Sequence, residues 1–138
     1  MFGLVIVRGS GMEPTSGDGD VALTFRLAGA LQAQDLIAYE GPEAGTLLVG
    51  RVIAQPGDTV EVTGDGEVRV NGGVQPSPAN EETQPDESGP SYPLTLGDNE
   101  YFVLGDGRAE AVDSRSLGPI GINEVEGKVI ALLRLREI

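Results

Sequence analysis

Apolar positions in this chain come in short runs, and Gly, Pro, Asp and Asn interrupt them every few residues. Phe2 to Val7 is six residues of mostly apolar sequence and reads as a strand, with Leu4–Val7 leading into a glycine-rich segment. Asp20 to Leu27 follows the Gly17-Asp18-Gly19 turn, with Val21, Leu23 and Phe25 at alternate positions, the period of a half-buried strand. Gln34 to Tyr39 reads as another strand. Leu47 to Gln55 is apolar almost throughout and fits a central strand, which Pro56-Gly57-Asp58 ends. Asp58–Val62 and Glu67–Val70 flank Thr63-Gly64-Asp65-Gly66, a hairpin signal, and Val70-Asn71-Gly72-Gly73 turns the chain again. Gln75 to Pro93 holds five prolines and several acidic residues but few large apolar ones, which predicts a mobile surface loop or short lobe. Glu100–Leu104 and Lys128–Arg136 complete the strands, and Gly121–Val125 can form one helical turn. The pattern predicts an all-β fold without internal repeats.

Composition narrows the chemistry. A chain of 138 residues with 39% apolar side chains can bury one core, and 4% aromatics make that core mostly Val, Leu and Ile. The formal charge of −13 offers no basic stripe, so nucleic acid is not expected as a partner. There is no His, no Cys and a single Lys, Lys128. A Ser-His-Asp triad, a Cys-His dyad, a disulfide and a His or Cys metal site are therefore excluded within these residues. Asp18-Gly19-Asp20 and Asp65-Gly66-Glu67 lack the ligand spacing of a calcium loop and read as turns. Glu13, Asp18, Asp20, Asp106 and Asp113 carry no aspartic-peptidase signature. No metal or cofactor is expected. No stretch reaches the roughly 18 apolar residues of a membrane span.

Three segments remain: Gly9-Ser10-Gly11-Met12-Glu13-Pro14-Thr15, Gly50-Arg51-Val52-Ile53-Ala54-Gln55-Pro56-Gly57-Asp58, and Gly105-Asp106-Gly107-Arg108 continuing through Ala111 and Asp113-Ser114-Arg115 to Gly118. In order, they resemble three boxes of type I signal peptidases, the Ser/Lys enzymes that trim signal peptides: Gly-x-Ser-Met-x-Pro-Thr, Lys-Arg-Val-Ile-x-x-Pro-Gly-Asp and Gly-Asp-Asn-Arg-x-x-Ser-x-Asp-Ser-Arg-x-x-Gly. Gln34 to Tyr39 is similar to that family's Gly-Asp-Ile-Val-x-Phe strand, with Gln34 in place of Gly. Gly127-Lys128 matches a Gly-Lys on its last core strand, which makes Lys128 a strand residue and not a displaced base.

The resemblance covers nearly the whole chain and implies a single signal-peptidase-like domain, residues 1–138. Its antiparallel sheets would coil into a barrel-like core, with a small inserted lobe at about residues 59–99. It also implies where catalysis would sit and what stands there instead. Gly11 takes the place of the nucleophilic Ser, Gly50 of the general-base Lys, and Ala111 of the Ser that supports that Lys. Gly107 replaces the Asn. A hydroxyl attacks only when a neighbouring base takes its proton, and glycine supplies neither group. Ser10 lies one residue away, but on a regular strand it would face the opposite side, and it has no base. An Asp and an Arg two residues apart, with a second Arg nearby, point to charge-assisted pairs that hold a loop. Pro14, Arg51, Asp106, Arg108, Asp113, Ser114 and Arg115 are accordingly expected to be structural.

Enzymes of that family bind an extended peptide between two strands, so Gly9, Ser10, Gly11, Met12 and Gly50 would line a peptide groove, widened where side chains are reduced to Gly. Non-catalytic signal-peptidase-like proteins occur in Gram-positive bacteria beside sortase-built pili, where pilin polymerisation needs them. This resemblance implies a chaperone-like accessory factor, monomeric, that meets a pilin, a sortase or both. It would act outside the cytoplasm, held by a membrane anchor preceding Met1 in the full-length protein. The alternative is a signal peptidase I that cleaves exported preproteins, here inactivated deliberately.

Overall fold

The computed structural model describes residues 2–26 and 30–134. Its strands are β1 (Phe2–Ile6), β2 (Val21–Phe25), β3 (Leu36–Glu40), β4 (Leu47–Ala54), β5 (Thr59–Val62), β6 (Val68–Val70), β7 (Gly73–Gln75), β8 (Leu94–Thr95), β9 (Glu100–Leu104), β10 (Ile120–Gly121) and β11 (Val125–Leu133). One four-residue helix, α1 (Ser114–Leu117), and two 3-10 turns, Pro78–Asn80 and Ile122–Glu124, complete the elements. Among the described residues strands pair only antiparallel, in a seven-stranded sheet of order β1-β2-β11-β3-β4-β9-β10 and a four-stranded sheet of order β7-β6-β5-β8. The larger sheet curls into a half-barrel, so the chain is mostly β as its pattern predicts.

The apolar run of β4 is the hinge of the core. Val52 packs with Ile37, Tyr39, Tyr101 and Val103, while Ile53 and Ala54 join Val60, Phe102 and Leu104 against the smaller sheet. An irregularity between Val52 and Ala54 in the β4–β9 register accompanies the turn of both Ile53 and Ala54 to the same cluster, where a regular strand would alternate them. A third cluster of Val5, Ala22, Ala38 and Val129 fills the curl. The predicted hairpin forms: Val62 pairs with Val68, Thr63 N–H donates to Glu67 O at 2.9 Å, and Gly66 sits at φ +86.

The structure adds to the sequence pattern and departs from it in several places. On β2 the small Ala22 and Thr24 turn inward, and the larger Val21, Leu23 and Phe25 stay half-buried on the other face. The last strand begins three residues before Lys128, at Val125; its predicted end at Leu135 and Arg136 lies outside the described residues, as does Leu27 of the predicted second strand. Helix α1 and strands β7, β8 and β10 have no counterpart in the pattern, and the predicted turn at Gly121–Val125 is the 3-10 turn Ile122–Glu124. Gln75 to Pro93 is not purely a surface segment, because Thr83 within it is only 1% exposed.

Candidate functional site

After β1 the chain leaves the sheet, and residues 11–15 form a turn whose Ser16 N–H donates to Met12 O at 3.0 Å. Ser10 is therefore an exposed residue at the start of a turn, which corrects the expectation of a regular strand there. The loop after β9 lies directly against this turn. Gly107 N–H donates to Gly11 O at 2.9 Å, and Asp106 N–H meets Met12 Sδ at 3.4 Å. The two Asp106 oxygens accept from Arg51 Nε and Nη2 at 3.0 and 2.7 Å, and Thr15 Oγ1 also donates to this carboxylate. The hydrogen bond to Asp106 raises the pKa of Arg51 above its ordinary value. Pro14 is exposed in the turn, after a cis peptide bond.

The far side of the loop is fixed by the cap of α1. Asp113 Oδ1 accepts from Arg115 N–H and Nε at 3.1 and 2.9 Å; its Oδ2 accepts from Arg115 Nη2 and Gly105 N–H at 2.8 and 3.0 Å. Ser114 Oγ accepts from Val103 N–H at 2.9 Å, which ties the helix to β9. Arg108 behaves differently from Arg115. Only 3% exposed, it donates to Gly105 O at 2.9 Å and Thr83 Oγ1 at 2.8 Å, and among the described residues it makes no ion pair. Burial holds its pKa below the ordinary guanidinium value.

Beside this junction lies a cleft of about 160 Å³, walled by residues 6–12 on one side, Leu47, Leu48 and Val49 on another, and Glu110, Ala111 and Val112 at one end. Its two strand walls both have an unpaired edge. Among the described residues β1 pairs with β2 alone, and β4 pairs with β9 only from Arg51 onward, leaving Leu47–Gly50 open on that side. Gly9, Ser10, Gly11 and Met12 line the cleft; Gly50 does not. A Cβ built on Gly50 would stand 2.5 Å from Val103 Cγ1 and 3.1 Å from Tyr39 Cε1. The space freed at position 50 is therefore filled from the core, which corrects the expectation of a wider groove there. Tyr39 is fully buried, its hydroxyl 3.5 Å from Val112 O, and burial raises its pKa far above the ordinary phenol range. Gly11 differs, since a Cβ there would meet only Ala111, at ordinary distances of 3.4 and 3.6 Å.

No lysine borders the cleft; the Lys128 ammonium on β11 pairs with Asp35, the residue before β3, at 3.1 Å. Among the described residues no group of three or more carboxylates is placed to hold a metal ion. No helix among them is long and apolar enough to cross a membrane.

The family profile described as signal peptidase, peptidase S26, matches residues 1–133. The chain belongs to this signal peptidase family. A signal peptidase I of Bacillus licheniformis is 32% identical over 92% of this chain and 74% of its own length. Signal peptidase I P of Bacillus subtilis subsp. natto is 33% identical with the same coverage. A crystal structure of a signal peptidase I from Enterococcus faecalis superposes with a TM-score of 0.60 at 31% identity, over 76% of this chain and all of that one.

Within this S26 chain, sequence reasoning had no signal for Val103, Tyr39 or Thr83, because apolar and small polar residues announce no partner. Asp113 before Ser114-Arg115-Ser116-Leu117 did carry a cap signal for α1. Gln34 adopts a left-handed φ of 77, the conformation for which the resemblance supplies Gly. At position 107 the departure has a steric reason: a Cβ would stand 2.2 Å from Ser10 O, a backbone atom. Gly107→Asn is therefore expected to cost about 1–3 kcal/mol of stability, seen as a lower urea midpoint. An unchanged midpoint would show that the loop can withdraw from the turn freely.

Proposed function

We propose that this chain is a non-catalytic member of the signal peptidase family that binds an extended peptide segment in the cleft between β1 and β4. The carrying observation is the pairing of a cleft that has open strand edges with the packing of Val103 and Tyr39 where a base at position 50 would have to start. Gly11 presents no hydroxyl, Ala111 no supporting hydroxyl, and the one lysine is engaged with Asp35. Gly9 N–H, Ser10 O and Gly11 O are engaged by Asp18 Oδ1, Glu13 N–H and Gly107 N–H, so Gly9 O and the N–H groups of Ser10 and Gly11 are the ones offered for strand addition among the described residues. The physiological role we assign is that of an accessory, chaperone-like factor in sortase-dependent pilus assembly. Its partners are a pilin, a sortase or both, and it acts at the outer face of the membrane from an N-terminal anchor. That assignment rests on the resemblance of the altered boxes.

The relatives named signal peptidase I support the other reading, a peptidase of exported preproteins whose residues were replaced, and the room for a side chain at Gly11 favours it at that position. Position 50 argues against it, because a lysine has no space there without movement of Val103. Mass spectrometry of an Ala-x-Ala signal-peptide substrate and of a purified pilin, each incubated with the protein, separates the two. Both substrates are expected to stay intact beside an active signal peptidase that cuts the first. Site-specific cleavage by this chain would overturn the non-catalytic reading.

A further inference from the structure

Strand β4 and the loop between β9 and α1 gather Arg51, Arg108 and Arg115 around Asp106 and Asp113. Both carboxylates are already claimed. Asp106 accepts two hydrogen bonds from Arg51, and Asp113 is held in the same way by Arg115. The positive charge left over is that of Arg108. Its Nε and Nη1 donate to neutral oxygens, Gly105 O and Thr83 Oγ1. Among the described residues its Nη2 donates to nothing, yet that nitrogen is not sealed from solvent. The carboxylates whose fields act on Arg108 are Asp106 and Asp113, and the fields of Arg51 and Arg115 oppose theirs. A charge held out of water without a counter-charge is costly, and an anion that reaches it offsets that cost.

Two cavities border Arg108, and their walls differ in sign. The larger, about 810 Å³, is rimmed by Glu81, Glu82, Asp86 and Glu87, which repel an anion. The other, about 340 Å³, opens between β4 and the segment that follows β7. Arg51 and Arg108 wall it, with Gln34, Ser77 and Thr15 as polar neighbours. Asp106 is its one acidic residue, and Arg51 and Thr15 already hold that carboxylate. Among the described residues the Gln34 side-chain amide makes no hydrogen bond, and the Ser77 hydroxyl makes only a long one, 3.4 Å to Pro78 O. We infer that this second cavity is a binding site for a carboxylate, with Arg108 as its cationic partner and Gln34 and Ser77 as neutral donors beside it. A guanidinium fork matches a carboxylate in shape. The chain's charge of −13 opposes every anion at long range, and a phosphate dianion twice as strongly, so a single negative charge fits best. The volume leaves room for what carries the group, a small free acid or an Asp or Glu side chain of a polypeptide. This cavity shares no lining residue with the cleft, so the site stands whether or not the cleft takes peptide.

The test titrates sodium acetate, and separately the blocked peptide acetyl-Ala-Glu-Ala-amide, into isotopically labelled protein at neutral pH. Sodium chloride and sodium phosphate at matched ionic strength are the references. The Arg108 Nε–H resonance, assigned by its loss in Arg108→Lys, is expected to shift and saturate with acetate and with the peptide. The melting temperature is expected to rise by about 2–5 °C at saturation. Ser77→Glu, which brings a carboxylate into the cavity from its own wall, should raise the melting temperature in chloride. It should also cut the acetate response about fivefold, while the neutral Ser77→Gln leaves both as they were. Saturation at lower peptide than acetate concentration supports the site with a polypeptide as carrier; equal concentrations support it with a small acid. An Arg108 resonance that acetate moves no more than chloride does would overturn the inference. A stronger response to phosphate than to acetate would overturn the carboxylate class. Equal stabilisation by Ser77→Gln and Ser77→Glu would put the gain down to packing and sink the site.

Discussion

Asp113→Ala is expected to lower the melting temperature by roughly 10–15 °C, the largest effect of any single change considered for this protein. The Asp113 carboxylate is 1% exposed and accepts four hydrogen bonds, three from Arg115 and one from Gly105 N–H. Removing it strands a guanidinium that is 7% exposed and uncaps α1 at the same time. Breaking a buried pair from one side costs about 3–5 kcal/mol, far more than the intact pair contributes, because the remaining charge stays desolvated. Glu67→Ala, which removes the partner of exposed Arg69 on the hairpin, is expected to leave the melting curve nearly unmoved. Thermal denaturation followed by circular dichroism decides both. A loss of only a degree or two for Asp113→Ala would mean that Arg115 escapes to water and that the loop is held by Arg51 and Asp106 instead.

Restoring the two expected catalytic side chains together is expected to fail, and for a reason located at one of them. Gly11→Ser should be nearly neutral, since its Cβ meets Ala111 at 3.4 Å or more. Gly50→Lys should cost about 1–3 kcal/mol by overpacking, with its Cβ driven into Val103 and its stem against buried Tyr39. The double variant is therefore expected to be less stable and still unable to cut an Ala-x-Ala substrate. Adding Val103→Ala should return most of the lost stability by opening the space. Detectable cleavage is expected only when Ala111→Ser also gives the new ammonium a hydroxyl to hold it. Urea titration reads the first effect, and mass spectrometry reads the second. Cleavage by Gly11→Ser with Gly50→Lys alone would show that Val103 turns aside readily and that the site is blocked only by its missing side chains.

The strands were legible because their signals are local. Pro56-Gly57-Asp58 ends β4, Gly64-Asp65-Gly66 folds the β5–β6 hairpin, and Glu100 to Leu104 is an unbroken apolar run behind one acid. Even so, the alternation of β2 left open which of its two faces is covered. Ala22 and Thr24 pack inside because a tightly curled sheet admits small side chains there, while Val21, Leu23 and Phe25 stay on the outer face. Periodicity specifies that two faces exist, and only the tertiary arrangement decides which is covered. The site divides in the same way. The boxes singled out Gly9 to Met12 and Ala111, which line one cleft. It could not show that Val103 moves in over Gly50, since a glycine in a sequence looks like a vacancy and close packing abolishes vacancies. Nor could it reveal that Arg108 turns to Thr83, a contact between segments far apart in the chain. The Gln75–Pro93 segment looked unable to bury anything because it lacks apolar bulk, yet one small hydroxyl answering one buried guanidinium draws Thr83 inside.

The hydrogen bond from Gly107 to Gly11 has a kinetic consequence. It joins the wall of the cleft to its end through backbone atoms, between segments that are otherwise anchored by Asp106, Arg51 and the cap of α1. A surface assembled this way is finished before any visitor arrives. Its amide protons should exchange with solvent slowly, on the schedule of the sheet and not of a loop. Little ordering entropy is then left for the encounter itself, so a strand that fits can dock in a single step. Residence time, set by how well its side chains match the cleft, becomes the quantity that separates one partner from another.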